Sequence, residues 1–304
     1  MSASFAEAVN VPGEQINLAE AALWIARDAY PGLEIEPYLH RLDVHATAIR
    51  SSPAGRAYRD LVRLASAKGA GEETGKGDSE GPMEAARRGI LEAFNEYLFN
   101  QLDFHGNRED YYDPRNSYLN DVLDRRTGLP ISLSVIYLEI GWRLGLPLVG
   151  IGLPGHFIVA WFEPDEPLLF VDPFSSGAVL SVRDCQARVN ELFGQPIMLQ
   201  REWLQPVGRR SILMRMLNNL KGLFLRLDQI DKAIPVVEKQ LILYPKSAED
   251  TRDLGILHAQ AGHRWEALSN LERYLALRPD AADADQVQQI QEALFGDLSG
   301  TEGL

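Results

Sequence analysis

The amino-acid sequence predicts an α+β protein: a helical N-terminal region, a core of one apolar helix followed by an antiparallel sheet, and an all-α C-terminal unit. Three observations carry this. Apolar residues recur at helical spacing through most of residues 17–144, the period falls to two between Leu148 and Asp172, and a 34-residue spacing recurs after residue 211. Helices first and a strand meander second, without alternation, separates α+β from α/β.

Asn17, followed three residues later by Glu20, makes a capping-box start ahead of Leu18, Ala21, Ala22, Ile25, Ala26 and Ala29, with Pro31-Gly32 as the stop. Pro37 suits a first helical position, and Leu39, Leu42 and Ala46 continue a second helix to about residue 50. A third covers about 54–67. Residues 68–82 hold five glycines and no large apolar side chain, too little surface to offset ordering entropy, and read as a mobile loop. Met83–Gln101 resumes the helical period through Ile90, Phe94, Tyr97 and Leu98, and Ser117 reads as the cap of a short helix with Leu119, Val122 and Leu123 inward. An apolar helix over Ile131–Leu144 ends at Gly145, with Pro147 blocking continuation. Strands Leu148–Leu153, His156–Phe162 and Leu168–Asp172 follow, separated by Pro154-Gly155 and by Glu163–Pro167. Ser181 and Asp184 cap a helix to about Phe193.

In the C-terminal part Leu220 and Leu254, Ala233 and Ala267, and Pro245 and Pro279 each lie 34 residues apart, the period of the tetratricopeptide helix-turn-helix. The second copy has Gly255 where the first has Lys221. Two repeats plus a helix around Val287–Leu294 fall short of the three that a free-standing array needs, so they are expected to lean on the preceding domain. The predicted organisation is an N-terminal helical region (1–67), the loop (68–82), the core (83–207), and two repeats with a capping helix (211–297).

At 304 residues, with 45% apolar and 24% charged residues, the chain is long and apolar enough for a substantial core. A net charge of -13 disfavours nucleic acid and anionic membranes as partners. One cysteine, Cys185, excludes a disulfide framework and a cysteine-rich metal site. The N-terminus has no signal-peptide pattern, and no apolar run reaches a membrane span, so a cytoplasmic protein is expected.

The chemistry centres on the helix starting at Gly128-Leu129-Pro130-Ile131-Ser132. Its N-terminus offers unpaired N–H groups and partial positive charge, which favour an anion on the first turn. A thiol there titrates at ~3.5–7.5 instead of ~8.5. An aliphatic hydroxyl, near ~15.7 as in water, stays protonated under the same influence and needs a general base to attack. His156 is the candidate base, and a hairpin centred near residue 164 or 165 brings Asp172 alongside to orient the imidazole.

The stretch from Asn116 to Pro164, with its GLPISL and PGHF segments, followed by FVDPFSSG, resembles the transglutaminase-like domain of a bacterial SirB-type family carrying C-terminal tetratricopeptide repeats, over roughly residues 15–295. The resemblance implies a transglutaminase-like (papain-like) core in which a cysteine at the start of the helix is followed by a strand histidine and a strand aspartate. It sets Ser132, or alternatively Ser134, at the cysteine position, His156 on the histidine and Asp172 on the aspartate. Serine in place of the thiol implies that transglutaminase activity is lost or weak. Cys185 follows the aspartate in order and does not stand in.

Asn116, Tyr118 and Trp161 are candidates to line a substrate cleft, beside Arg115 and Phe157. Each also has a plainer reading, as turn former or core aromatic. His105, Asp110 and Asp113 lack metal-ligand spacing and read as a capped turn. No cofactor or metal is expected. Two functions remain open. One is an inactive or weakly active regulatory module binding protein or peptide through its repeats. The other is an amide or ester hydrolase or acyltransferase with Ser132 as nucleophile, His156 as general acid/base and Asp172 as orienter.

Overall fold

The structure, a computed structural model, describes residues 4–68, 82–163 and 166–300. The glycine-rich segment read as a mobile loop lies outside the described residues apart from Lys68 and Pro82. Contacts divide the chain into two units. One holds Leu18–Leu23 and Gly32–Gly208; the other holds the N-terminal residues to Asn17, Trp24–Pro31 and everything from Arg209.

The chain opens with α1 (Phe5–Val9) and α2 (Leu18–Ala26), then α3 (Ile35–Ser51), α4 (Pro53–Lys68) and α5 (Pro82–Asn95). Pro37 is the third residue of α3 rather than the first. Its missing N–H costs nothing there, because first-turn amides have no intrahelical acceptor. After α5 the chain winds into one wider π-helical stretch, Glu96–Gln101. A two-residue strand β1 (His105–Gly106), α6 (Leu119–Arg125), β2 (Thr127–Gly128, parallel to β1) and α7 (Pro130–Leu144) follow. Ser117 does not cap α6. Asp113 starts a 3-10 turn over Pro114–Asn116 by accepting the Arg115 N–H, Ser117 closes that turn, and Tyr118 takes the extended cap position.

Helix α7 is the centre of the unit. Every residue from Pro130 to Gly141 is buried, as a helix apolar all round requires, and Gly145 ends it in the left-handed conformation at φ 78°. The one carboxylate inside, Glu139, accepts the Ala19 N–H of α2 at 2.9 Å and pairs with Arg143, so the buried charge satisfies the first turn of another helix. Strands β3 (Leu148–Ile151), β4 (Ile158–Glu163), β5 (Glu166–Asp172) and β6 (Ala178–Leu180), then α8 (Val182–Phe193) and β7 (Pro206–Val207), complete an antiparallel sheet of order β6-β5-β4-β3-β7. Ile158 and Ala160 pack with Ile151, Phe170, Leu180 and Cys185 on one face. The alternate residue Trp161 meets Tyr58 of α4 edge-on, as a period of two requires. Ser181 and Asp184 form the expected capping box of α8.

In the other unit α9 (Arg209–Arg226), α10 (Ile230–Leu243), α11 (Ala248–Gln260), α12 (Arg264–Leu277) and α13 (Ala284–Gly300) run as successive helices. α12 begins and ends 34 residues after α10, and α11 ends 34 after α9. Ala233 and Ala267 are fully buried at equivalent places. Lys221 replaces the glycine of the second copy because its amine reaches α11, bonding Asp250 at 3.3 Å and Asp253 at 3.0 Å. Arg210 binds the Val9 and Val11 carbonyls and Lys239 pairs with Asp28, tying the preceding segments to the first repeat. Among the described residues no helix is long and apolar enough to cross a membrane.

Candidate active site

Ser132 is the third residue of α7, behind Pro130 at the first. Its Oγ accepts the Leu129 N–H at 2.9 Å and donates to the Asn116 carbonyl at 2.7 Å, with no exposure to solvent. The single hydroxyl proton is held by a strong acceptor. Asn116 is a second knot: its Nδ2 donates to the carbonyls of Asp110 (2.7 Å) and Tyr111 (3.3 Å), and its Oδ1 accepts from Asn107 and Arg125. Ser134, also fully buried, lies two residues on with its Oγ 3.5 Å from the carbonyl of Phe157, the residue after His156.

His156 follows the turn at Pro154-Gly155 and precedes β4, so it is outside the ladder that the alternation assigned it to. The ladder pairs Val159 with Val171 and Ala160 with Phe170, with a register shift between Trp161 and Phe162. Continued to Asp172, this register sets its strand partner at Ile158, two residues past His156, one of them owed to the shift, and the imidazole reaches the carboxylate from the loop. Nε2 meets Asp172 Oδ2 at 3.0 Å. With Nε2 committed, proton transfer by this ring runs through Nδ1.

Asp172 ends β5 and caps the 3-10 turn Pro173–Ser175. Its Oδ1 accepts the Phe174 N–H at 3.0 Å and the Ser175 N–H at 3.3 Å, and its Oδ2 also takes Arg188 of α8 at 2.8 Å. Burial pushes this carboxyl up, but His156, Arg188 and Ser175 together outweigh it and hold it below the usual carboxylate range. The Phe174 ring stands edge-on to His156, centroids 6.1 Å apart. On the far side of the turn, Asn95 Nδ2 donates to the Gly177 carbonyl at 2.9 Å while its Oδ1 accepts from Tyr137 of α7 at 3.0 Å.

The remaining sequence candidates are dispersed. Tyr118 and Trp161 are only 5% and 1% exposed, and the Trp161 indole sits in the core against Tyr58. Arg115 and Arg125 both grip Asp113. His105 bonds the Asp103 carbonyl and Thr127, and the Asp110 N–H binds Asn107, so His105, Asp110 and Asp113 each serve the local turns. The Cys185 thiol is fully buried in the apolar cluster, and that burial raises it to about 11. Arg188 was missed by sequence reasoning. The signal was present: it lies on the same face of α8 as the buried Cys185 and Val189, where a cation demands an anion.

Residues 36–218 match the transglutaminase-like superfamily, and residues 220–291 match the tetratricopeptide repeat. A UPF0162 protein of Xylella fastidiosa strain Temecula1 is 37% identical over 281 residues, 91% of this chain and 90% of the relative. A UPF0162 protein of Vibrio cholerae is 29% identical over 218 residues, 72% and 80% of the two chains. Human F-box only protein 21 is 35% identical over 178 residues, 56% of this chain but 27% of that larger protein.

Proposed function

The chain belongs to the transglutaminase-like superfamily and carries tetratricopeptide repeats, and from that premise we propose that it works as a protein-interaction module whose transglutaminase-like core is a scaffold. In this reading Ser132 stands where the superfamily's thiol stands, and the partner is a protein or peptide held by the repeats in the cytoplasm. The assignment to a SirB-type branch rests on the GLPISL, PGHF and DPF segments and is part of the same proposal. One observation supports it above the others: the Ser132 hydroxyl, closed to solvent, is spent on Leu129 and Asn116. A nucleophile needs its proton directed to a base, and this proton is directed to a carbonyl. Affinity capture with crosslinking, using the full chain as bait, is the direct test. Recovery of a specific protein partner lost on disrupting the repeats is expected, and absence of any partner overturns the reading.

The His156–Asp172 pair keeps a second reading in view, an acyl-transferring hydrolase with a serine nucleophile, because a carboxylate on one ring nitrogen, here Nε2, orients the imidazole for proton transfer at the other. A fluorophosphonate probe that labels wild type but not Ser132→Ala or Ser134→Ala would establish it. No labelling, together with no activity gained in Ser132→Cys or Ser134→Cys, removes it.

A further inference from the structure

Beyond the interaction reading, we propose that the surface over Ser175 is an oxyanion site, built from Arg108 and Arg188 beside His156, that takes a ligand bearing a phosphoryl or carboxylate group. Arg108 donates to Ser175 Oγ at 3.3 Å and Arg188 donates to the same oxygen at 3.4 Å. Two guanidinium groups from distant parts of the chain thus converge on one neutral hydroxyl. Arg188 has its counter-ion in Asp172. Arg108 has no carboxylate within ion-pair distance among the described residues. Arg50, Arg56, Arg210 and Arg273 have none either but spend their donors on backbone carbonyls, whereas Arg108 meets only the Ser175 hydroxyl and an aromatic face.

Arg108 is nonetheless held in place. Its guanidinium lies 4.9 Å above the Phe174 ring, and Tyr111 stacks edge-on against that ring, centroids 6.2 Å apart. Arg108 is solvent-exposed and its charge is hydrated, so its place beside a second cation costs little and leaves its donors accessible to a ligand. An oxyanion over Ser175 would give Arg108 a counter-ion, take a second donor from Arg188, whose charge Asp172 already balances, and use donor geometry that suits phosphate and carboxylate alike. The His156 ring, edge-on to the same phenylalanine, borders the site, so the bound group would sit beside the histidine–aspartate pair.

The test is calorimetric titration of the full chain at low ionic strength with inorganic phosphate and, separately, with acetate. Saturable binding of at least one ion is expected, and the preferred ion identifies the group the natural ligand carries. Arg108→Ala should weaken binding about tenfold or more, since one charge-assisted contact is removed. Arg201→Ala, an exposed arginine elsewhere, should leave it unchanged. Arg108→Lys, which keeps the charge and loses the fork, should fall between and serves if the alanine variant melts early. No saturable binding of either ion by wild type, or equal binding by Arg108→Ala, overturns the proposal. Either result leaves the repeat-mediated reading standing, because no repeat residue contributes to this site.

Discussion

Removing the Ser132 hydroxyl leaves the Leu129 N–H with only its longer bond to the Asn116 carbonyl, 3.3 Å, and takes one of two donors from that carbonyl, beside a side chain closed to water. Ser132→Ala is therefore expected to lower stability by about 0.5–1.5 kcal/mol in urea denaturation, the net worth of lost hydrogen bonds whose partners keep one another. A variant as stable as wild type would show the hydroxyl is not structural. Asp172 brings pH into the site. Its folded value is depressed, so its stabilising contribution is complete above the unfolded value of about 3.9 and is lost as pH falls through the folded value. The stability gap between wild type and Asp172→Asn should then be widest near pH 5 and close toward pH 2. A gap constant across that range would mean the ionised carboxylate contributes nothing. Cys185, raised to about 11 by burial, should resist thiol reagents at pH 8 in the native protein and react fully in denaturant, as an Ellman titration would read. The histidine–aspartate contact was legible because the β4–β5 hairpin brings the residues just before β4 close to the end of β5, although His156 lies in the loop and not in the ladder. For Arg188 the helical spacing with Cys185 and Val189 signals a need for an anion, but which anion depends on how α8 lies against the sheet.

The turn that carries Asp172 is held from outside by an element, not by its own sequence. The π-helical stretch after α5 rotates Asn95 and Phe99 onto Gly177, which sits at φ 76°; a Cβ there would fall 2.5 Å from Asn95 Cγ and 2.6 Å from Phe99. Gly145, at φ 78°, has open space around it. Gly145→Ala should therefore cost only the left-handed strain, about 1–2 kcal/mol. Gly177→Ala should add an overpacking cost of about 1–3 kcal/mol to the same strain. Thermal denaturation of the two variants separates the effects, and equal losses would show that the π-helical stretch does not brace the turn. The elements that read correctly from sequence, α7 with its Gly145 stop and α8 with its Ser181–Asp184 box, announce themselves by signals within a few residues. The strands β6 and β7, of three and two residues, are too short to carry a period, and the π-helical winding is set by packing.

At the scale of the whole molecule the 34-residue spacing and the charge were both open to the sequence, because neither depends on a particular side-chain contact. The charge has a consequence for stability that individual ion pairs do not predict. Forty-three acidic residues against thirty basic ones leave -13 at pH 7, and the repulsion is relieved by unfolding. Opposing it are pairs such as Arg41–Asp124 and Arg278–Glu249, both substantially exposed, and exposed pairs are worth about 0–1 kcal/mol each before screening. Salt weakens both effects, so the sign of the salt response decides which dominates. Repulsion summed over the surface is expected to win at pH 7.5, and the melting temperature should rise by several degrees as sodium chloride is raised from low to physiological concentration. Near pH 5.0, the isoelectric point, net charge vanishes and the same titration should leave the melting temperature flat or lower it. A fall with salt at pH 7.5 would mean that the ion pairs outweigh the net charge and that the acidic excess lies where the folded chain already keeps it apart.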